Sequence, residues 1–148
     1  MRIALGADER SNLTSFVQAE LERRGLLVQT RLPPAGETLA WAEVGEWVGQ
    51  QVARGEADAG VLFCWTGTGV CMAANKVPGV RAALCSDPET ARGARRWNDA
   101  NVLVLSLRAT AEPVAGEILD AWLTTGPSES PDDQANIAHL GRIGRSIN

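Results

Sequence analysis

With 148 residues and a formal net charge of −4 at pH 7, the chain has the size of one domain and little attraction for polyanions. Its 14 basic residues are scattered, so we expect neither a nucleic-acid partner nor an anionic membrane surface. Hydrophobic residues make up 45% of the chain and charged residues 22%, which predicts a folded core and excludes a disordered protein.

The cysteine and histidine content predicts reduced thiols and no metal centre. Cysteines at positions 64, 71 and 85 form an odd set without a CxxC pair, and the chain has one histidine. Zinc sites need closely spaced thiol and imidazole ligands, so none is expected. No signal-peptide pattern is present, and no apolar run reaches the roughly 18 residues of a membrane span, so we expect a cytoplasmic protein.

Apolar segments alternate with amphipathic segments along the chain. Apolar runs predict five strands, at residues 1–6, 26–32, 58–64, 80–85 and 101–106. Apolar residues at helical spacing predict six helices, at residues 13–24, 41–54, 70–75, 88–99, 112–124 and 132–142. The expected N-caps of the first and fourth helices are Ser11 or Asn12 and Ser86 or Asp87.

This alternation predicts one α/β domain over residues 1–148, in which residues 127–148 form a C-terminal helical extension. The fold class is a three-layer Rossmann-like sandwich, with a five-stranded parallel sheet and helices on both faces. Loops at the carboxyl ends of parallel strands share one edge of the sheet, where ligands bind. The side chains expected at this rim are Asp8, those of residues 64–69, Ser86 and the corner formed by Trp97 and Asn98.

The turn that follows the third strand is typical of an anion site. Gly67 and Gly69 permit positive φ angles or the close approach of a ligand, and the next helix adds free N–H groups and the positive end of its dipole. These features favour a bound phosphate or an oxyanion formed during a reaction. The same field activates a nearby thiol, so Cys64 is a candidate base or nucleophile. An inert core cysteine is the alternative.

Four motifs occur in order along residues 1–124. They are Gly6-Ala7-Asp8, residues 60–76 with Cys-x-Thr-Gly-x-Gly and Ala-Ala-Asn-Lys, Gly79-Val80-Arg81-Ala82, and residues 97–103. Together they resemble the type B ribose-5-phosphate isomerases and the related galactose-6-phosphate and allose-6-phosphate isomerases. The resemblance implies a homodimer or tetramer with active sites shared between subunits, a sugar or sugar phosphate as ligand, and no metal or organic cofactor.

The resemblance also implies a set of residue roles for an aldose–ketose isomerase. Cys64 would take the proton from carbon 2 of the open-chain sugar, while Asp8 and Asn98 would hold sugar hydroxyls. An enediolate needs a base beside the carbon acid and donors aimed at the developing oxyanion. The expected donors are the loop groups of Thr66, Gly67, Thr68, Gly69 and Val70, with Thr66 counted among the catalytic residues.

The chain departs from the family pattern where imidazoles are usual. Trp97 replaces the histidine associated with ring opening, and Glu9 replaces the histidine that follows the first aspartate. Glu9 is therefore the candidate for ring opening, because it lies next to Asp8. Trp65 stands where glycine is usual after the cysteine. Trp65 and Trp97 are candidate surfaces for a sugar ring, and packing in the core is the alternative for both.

The last predicted helix also differs from the family, because Asp132, Asp133 and Asn136 stand where cationic phosphate ligands are usual. Helix capping is the ordinary role of such aspartates. The other candidates are expected to face solvent: His139, the possible phosphate ligands Arg142 and Arg145, and the helix-end residues Arg92, Arg95 and Arg96. We therefore predict an aldose–ketose isomerase of changed specificity. The alternatives are an enzyme for an unphosphorylated sugar and a non-catalytic sugar-binding module.

Overall fold

The computed structural model, which describes residues 1–144, contains a five-stranded parallel sheet in the order β2-β1-β3-β5-β4. The strands are β1 (Arg2–Ala7), β2 (Leu27–Arg31), β3 (Ala59–Cys64), β4 (Ala82–Leu84) and β5 (Val102–Ser106). The helices are α1 (Asn12–Arg23), α2 (Trp41–Ala53), α3 (Thr68–Asn75), α4 (Pro88–Asn98), α5 (Glu112–Thr124) and α6 (Pro131–Leu140). The predicted fold class is confirmed.

Helices cover both faces of the sheet, which explains the continuous apolar runs of the central strands. On one face, α1, α4 and α5 enclose side chains such as Leu5 and Phe63. On the other face, α2 and α3 enclose neighbouring strand residues such as Ala4 and Leu62. Strands buried on both faces lose the polar alternation of a half-exposed strand. Within residues 1–144, no helix is long and apolar enough to span a bilayer.

Local sequence signals place the ends of the helices well. Ser11 caps α1, since its Oγ accepts a hydrogen bond from the N–H of Thr14 at 3.2 Å and its own N–H donates to Thr14 Oγ1 at 3.0 Å. Asp87 caps α4 by accepting from the N–H of Thr90 at 2.7 Å. Each cap satisfies backbone donors that have no partner inside the helix. The expected caps of α1 and α4 are therefore present.

The N-terminus of α6 differs from the expectation. Ser130 occupies the N-cap position, followed by Pro131, and neither Asp132 nor Asp133 is the cap. Both aspartates instead lie in the first turn, where their charges interact favourably with the helix dipole. The capping role is therefore wrong, although the negative charge remains at this end of the helix.

Side-chain amides complete β4, the strand at the edge of the sheet. The side chain of Asn75, at the end of α3, donates to the carbonyl oxygen of Ala82 at 2.9 Å and accepts from its N–H at 2.8 Å. Before the strand, the N–H of Arg81 donates to Asn101 Oδ1 at 2.8 Å. The two Asn75 bonds satisfy backbone groups at an edge that has no further strand to pair with. β4 is shorter than the predicted strand at residues 80–85.

Arg95 is a structural residue, and the expectation of a solvated side chain is wrong for it. Its guanidinium donates to the carbonyl oxygens of Ala100 at 2.6 Å and Thr125 at 3.1 Å. The same group lies 5.4 Å from the ring centroid of Trp122, which is buried. A cation over an indole face adds to these hydrogen bonds. Arg95 therefore joins the end of α4 to the end of α5.

Candidate active site

A crevice between β1 and β3 brings Asp8 level with Cys64. The chain leaves β1 towards β2 on one side and leaves β3 towards β4 on the other. Such a reversal is the topological switch point at which open α/β sheets bind ligands. Ala7 pairs with Phe63 in the register, so the next residues of the two strands meet at the carboxyl edge. Asp8 and Cys64 therefore lie at the same rim.

Cys64 is buried beneath the helices of its own chain. The residue is only 6% exposed and belongs to an apolar cluster with Val44 of α2 and Val70 of α3. Two cavities of the described residues open elsewhere, one beside Asn98 and one beside Met72, and Cys64 lines neither. The thiol has little solvent contact within a single chain, because α2 and α3 pack over the end of β3.

Gly67 and Gly69 serve different purposes in the turn between β3 and α3. Gly67 has φ +79 and is the N-cap of α3, and a Cβ there would stand 2.5 Å from Leu84 Cδ1. A left-handed backbone angle with so little space favours glycine. Gly69 lies within the helix and lacks a positive φ, so only the close approach of another group applies to it. A Cβ at Gly69 would instead stand 2.9 Å from the indole of Trp41.

Trp41 is a candidate site residue that the sequence patterns did not identify. The helical spacing of apolar residues predicted only that it belongs to a helix, and it lies half exposed at the start of α2. Its six-membered ring rests against Gly69, in the first turn of α3. The glycine is the available signal, because a ring can approach a helix backbone closely where no side chain intervenes. Trp41 therefore forms one wall beside the candidate anion site.

The turn between β3 and α3 has exposed threonine hydroxyls, and hydrogen bonds from the end of β5 and the loop after it fix its backbone. The hydroxyls of Thr66 and Thr68 lie 2.8 Å apart, and both residues face solvent. The carbonyl oxygen of Trp65 accepts from Ser106 Oγ at 2.9 Å and from a backbone N–H of the loop after β5. Ser106 is the second residue missed by the sequence patterns. Its signal is a lone hydroxyl at the end of a buried apolar strand, where a polar group needs a partner.

The Trp65 side chain is 59% exposed, so the core-packing alternative is wrong for this residue. Its backbone is tied down by Ser106, whereas the indole extends from the rim into solvent. An exposed aromatic ring next to a polar turn provides an apolar surface that does not contribute to the core. Trp65 is therefore available to contact a ligand or another chain.

Asp8 carries a buried oxygen without a partner. Its Oδ1 has no solvent contact and no hydrogen bond within residues 1–144, while its backbone carbonyl accepts from the N–H of Leu39 at 2.8 Å. Burial, and then the negative charge of the adjacent Glu9, raise the pKa of the Asp8 carboxyl. An unsatisfied buried acceptor costs free energy unless a ligand or water supplies a donor. Asp8 is therefore suited to bind a hydroxyl.

Trp97 and Asn98 lie near the amino ends of the strands, whereas Cys64 lies at the carboxyl end of its strand. Helix α4 begins at the carboxyl edge after β4 and runs back antiparallel to the strands, so its last residues reach the amino edge. Asn98 accordingly lines a cavity with Lys76 and Arg81, which lie before β4. The predicted meeting with Cys64 at one rim is wrong within a single chain. Trp97 is 57% exposed, so it is not a core residue either.

The remaining predicted residues do not converge on the crevice. Ser86 is exposed and its hydroxyl donates to Asp87 at 3.3 Å, while Asn136 donates to the carbonyl oxygen of Asp132 at 3.0 Å. His139 and Arg142 are exposed, as predicted, and Arg145 lies outside the described residues. Within residues 1–144, no three histidine, cysteine or carboxylate side chains converge as metal ligands would.

Proteins of one family resemble this chain in both sequence and structure. A family model described as Ribose/Galactose Isomerase matches residues 3–140. The chain is 37% identical over 125 residues to the D-erythrulose-4-phosphate isomerase of Pectobacterium atrosepticum, covering 83% of this chain and 82% of that protein. It is also 37% identical over 123 residues to ribose-5-phosphate isomerase B of Escherichia coli, covering 82% and 83% respectively.

The structural match extends over almost the entire chain. The ribose-5-phosphate isomerase B of Clostridium thermocellum superposes with a TM-score of 0.91 at 35% identity, covering 97% of each chain. The family match includes β1, β3 and the turn into α3, which form the crevice described above. The chain therefore belongs to the ribose/galactose isomerase family.

Proposed function

We propose that this protein is an aldose–ketose isomerase that converts a small sugar phosphate through an enediolate, with Cys64 as the base. The observation that carries the proposal is the register of β1 and β3, which sets Asp8 and Cys64 side by side next to the N-terminus of α3. Relatives named for ribose-5-phosphate and D-erythrulose-4-phosphate support a phosphorylated sugar as the substrate class.

The proposed chemistry is the transfer of one proton between two carbons. Cys64 takes the proton from carbon 2 of the open-chain aldose, so the C–H bond breaks and the electron pair moves onto the carbonyl oxygen. Free N–H groups at the start of α3 and the positive end of its dipole stabilise this oxyanion. The hydroxyl proton on oxygen 2 passes to oxygen 1, the thiol returns its proton to carbon 1, and the carbonyl forms at carbon 2, which gives the ketose. The Thr66 hydroxyl, bonded to that of Thr68, adds a donor at the same place.

Ring opening is the proposed role of Glu9, with Asp8 beside it. A cyclic sugar opens when its ring oxygen gains a proton and its anomeric hydroxyl loses one, which is general acid and base work. Glu9 is half-buried and adjacent to Asp8, whose pKa is raised by burial and then by the charge of Glu9. Two neighbouring carboxyls in unlike environments can divide the acid and base roles.

The active site is proposed to be shared between two copies of the chain. Cys64 and Asn98 lie at opposite edges of one sheet, so a single chain cannot bring them to one sugar. A two-fold axis places the same two surfaces of each copy in contact, so one dimer would contain two equivalent sites. The second copy would also enclose the reaction and exclude water from the enediolate. The expected assembly is therefore a homodimer, alone or within a tetramer.

A second candidate function is isomerisation of an unphosphorylated sugar. The exposed indoles of Trp65 and Trp97 favour it, because sugars stack their C–H faces on aromatic rings. Asp132 and Asp133, in the first turn of α6, would repel a phosphate. Values of kcat/KM for ribose 5-phosphate and for free ribose separate the two candidates. A preference for the free sugar would reject the phosphate assignment.

The role of Cys64 is tested by assaying both sugars with wild type and with the Cys64→Ala variant. Cys85→Ala is the matched control, because Cys85 is a buried thiol in the cluster on the other face of the sheet. We expect Cys64→Ala to lose at least about 100-fold in kcat, the lower range for a positioned proton-transfer group. Equal activity of wild type and Cys64→Ala would reject Cys64 as the base.

Solvent deuterium provides a second readout of the same chemistry. An isomerase with a protein base exchanges label from D₂O into the sugar during turnover, because the abstracted proton mixes with solvent. If the protein binds a sugar but neither converts it nor exchanges label, it is a non-catalytic binding module and the proposed function is wrong.

A further inference from the structure

The indole of Trp97 lies flat against α4 because the residue one turn earlier is a glycine. A Cβ at Gly93 would stand 2.8 Å from Trp97 Cζ3 and 2.9 Å from Cε3, much closer than side-chain atoms approach each other. Residues four apart share one face of a helix, and helical side chains point back towards the N-terminus. The ring therefore occupies the space that a side chain at position 93 would need.

This arrangement does not serve the hydrophobic core. Gly93 is buried under the ring, yet Trp97 itself remains 57% exposed, so one ring face is directed outward. Glycine within a helix is also less favourable than alanine, because it loses more backbone entropy on folding. A buried helical glycine beneath an exposed indole therefore has a poor structural rationale. It has a clear one if the outward ring face contacts a ligand.

Several contacts fix the turn after Trp97, so the backbone that carries the ring has a defined position. Asp99 has φ +46 and is the one non-glycine residue with a positive φ within residues 1–144. Its carboxylate lies 3.1 Å from Arg81 Nη2 and 3.6 Å from Arg95 Nη1, and Arg81 Nε donates to its carbonyl oxygen at 2.6 Å. A strained angle persists where its surroundings over-determine it, and such sites cluster near functional positions.

We propose that Gly93 is a positioning residue for substrate specificity: it lays the Trp97 indole flat, so that the ring presents an apolar face to the C–H surface of a sugar. The inference rests on the proposed function, whose shared site would bring Asn98, and with it the adjacent Trp97, to Cys64 of a second copy of the chain. Flat seating also keeps the ring clear of the space beside Asn98, whose side chain is exposed and lines the adjacent cavity.

Gly93→Ala tests the proposal, because the added methyl group must lift the ring. We expect KM for the converted sugar, or Kd from tryptophan fluorescence where turnover is absent, to rise roughly threefold to tenfold, the range of one aromatic contact. The probes are ribose 5-phosphate and free ribose. We expect kcat to change less than about twofold and Tm to stay the same or rise, since alanine favours the helix. A purely structural role would lower Tm and leave KM unchanged.

Gly116→Ala is the matched control, since Gly116 lies inside α5 and a Cβ there would make only an ordinary contact, 3.9 Å from Phe16 Cζ. It should raise Tm without changing KM. In a Trp97→Ala background, Gly93→Ala should have no further effect on KM, because no ring remains to be displaced. A further rise in that background would contradict the proposed route through Trp97.

The single variant Trp97→Ala distinguishes contact of Trp97 with the substrate from positioning of its ring by Gly93. If it raises KM while Gly93→Ala does not, Trp97 contacts the substrate and the positioning role of Gly93 is wrong. If neither variant changes KM, Trp97 lies outside the site, so both its proposed place there and this inference are overturned. Loss of activity in Cys64→Ala would still support the isomerase in that case.

Discussion

Replacing Gly67 with alanine should reduce turnover far more than it reduces stability. Gly67 has φ +79, a conformation that costs a residue with a Cβ about 1–2 kcal/mol. The new methyl group would stand 2.5 Å from Leu84 Cδ1, but Leu84 is 37% exposed and can rotate towards solvent. That rotation loses only part of a leucine contact, about 0.5 kcal/mol. We therefore expect the free energy of unfolding to fall by roughly 2 kcal/mol.

The effect on catalysis comes from the N-terminus of α3. Gly67 is the N-cap, so relief of its strain tilts the N–H groups of the first turn, which are the proposed donors to the enediolate oxygen. Loss of one oxyanion donor typically lowers kcat by about 100-fold to 1,000-fold, or about 2.7–4 kcal/mol. Since donors aimed at the transition state act on kcat, KM should change little.

Gly25→Ala is the matched control for backbone strain. Gly25 has φ +77 between α1 and β2, and a built Cβ would meet nothing within 4 Å. The free energy of unfolding from urea titrations and kcat at a temperature well below both transitions would be measured for each variant. We expect similar losses of stability but a large loss of kcat only for Gly67→Ala. Equal kcat values for the two variants would refute the assignment of the turn as the oxyanion site.

Three further predictions concern the scaffold. Arg95→Met should lower the free energy of unfolding, measured by urea titration, by about 1–3 kcal/mol, because the carbonyl oxygens of Ala100 and Thr125 lose their donor. Arg96 is exposed, so Arg96→Met should change this free energy little. Burial raises the pKa of Cys85 to about 12, so iodoacetamide at pH 8 should alkylate this thiol last of the three. Mass spectrometry would follow the alkylation, and early modification of Cys85 would contradict its burial. Hydrogen bonds from Arg23 and then Arg24 lower the pKa of Glu20 to about 2. The contribution of the Glu20 carboxylate to stability is therefore present above pH 4.5 and lost as the pH falls towards 2. Glu20→Gln should therefore flatten the decline of Tm over that interval.

Local sequence patterns were sufficient to predict the strands and helices and the position of two site residues. Apolar periodicity identified every strand and helix of the described chain to within two residues, because the sheet is covered on both faces and its strands are uniformly apolar. The cap of α1 at Ser11 followed from short-range hydrogen bonding, which a few neighbouring residues decide. The rim position of Asp8 and Cys64 followed from one rule, that carboxyl ends of parallel strands meet.

Contacts between distant segments could not be obtained in this way. Trp41 rests on Gly69 and Arg95 lies over Trp122, and neither pair is marked by spacing, since packing of separate helices brings them together. The burial of Cys64 likewise depends on α2 and α3 closing over the end of β3.

The sequence alone determined the family, the parallel sheet and the identity of the residues with chemical potential, because motifs and periodicity are local properties of the chain. Only the tertiary structure decided which of these residues can meet. The direction of α4 carries Trp97 and Asn98 to the edge of the sheet opposite Cys64, since a helix between parallel strands must run back against them.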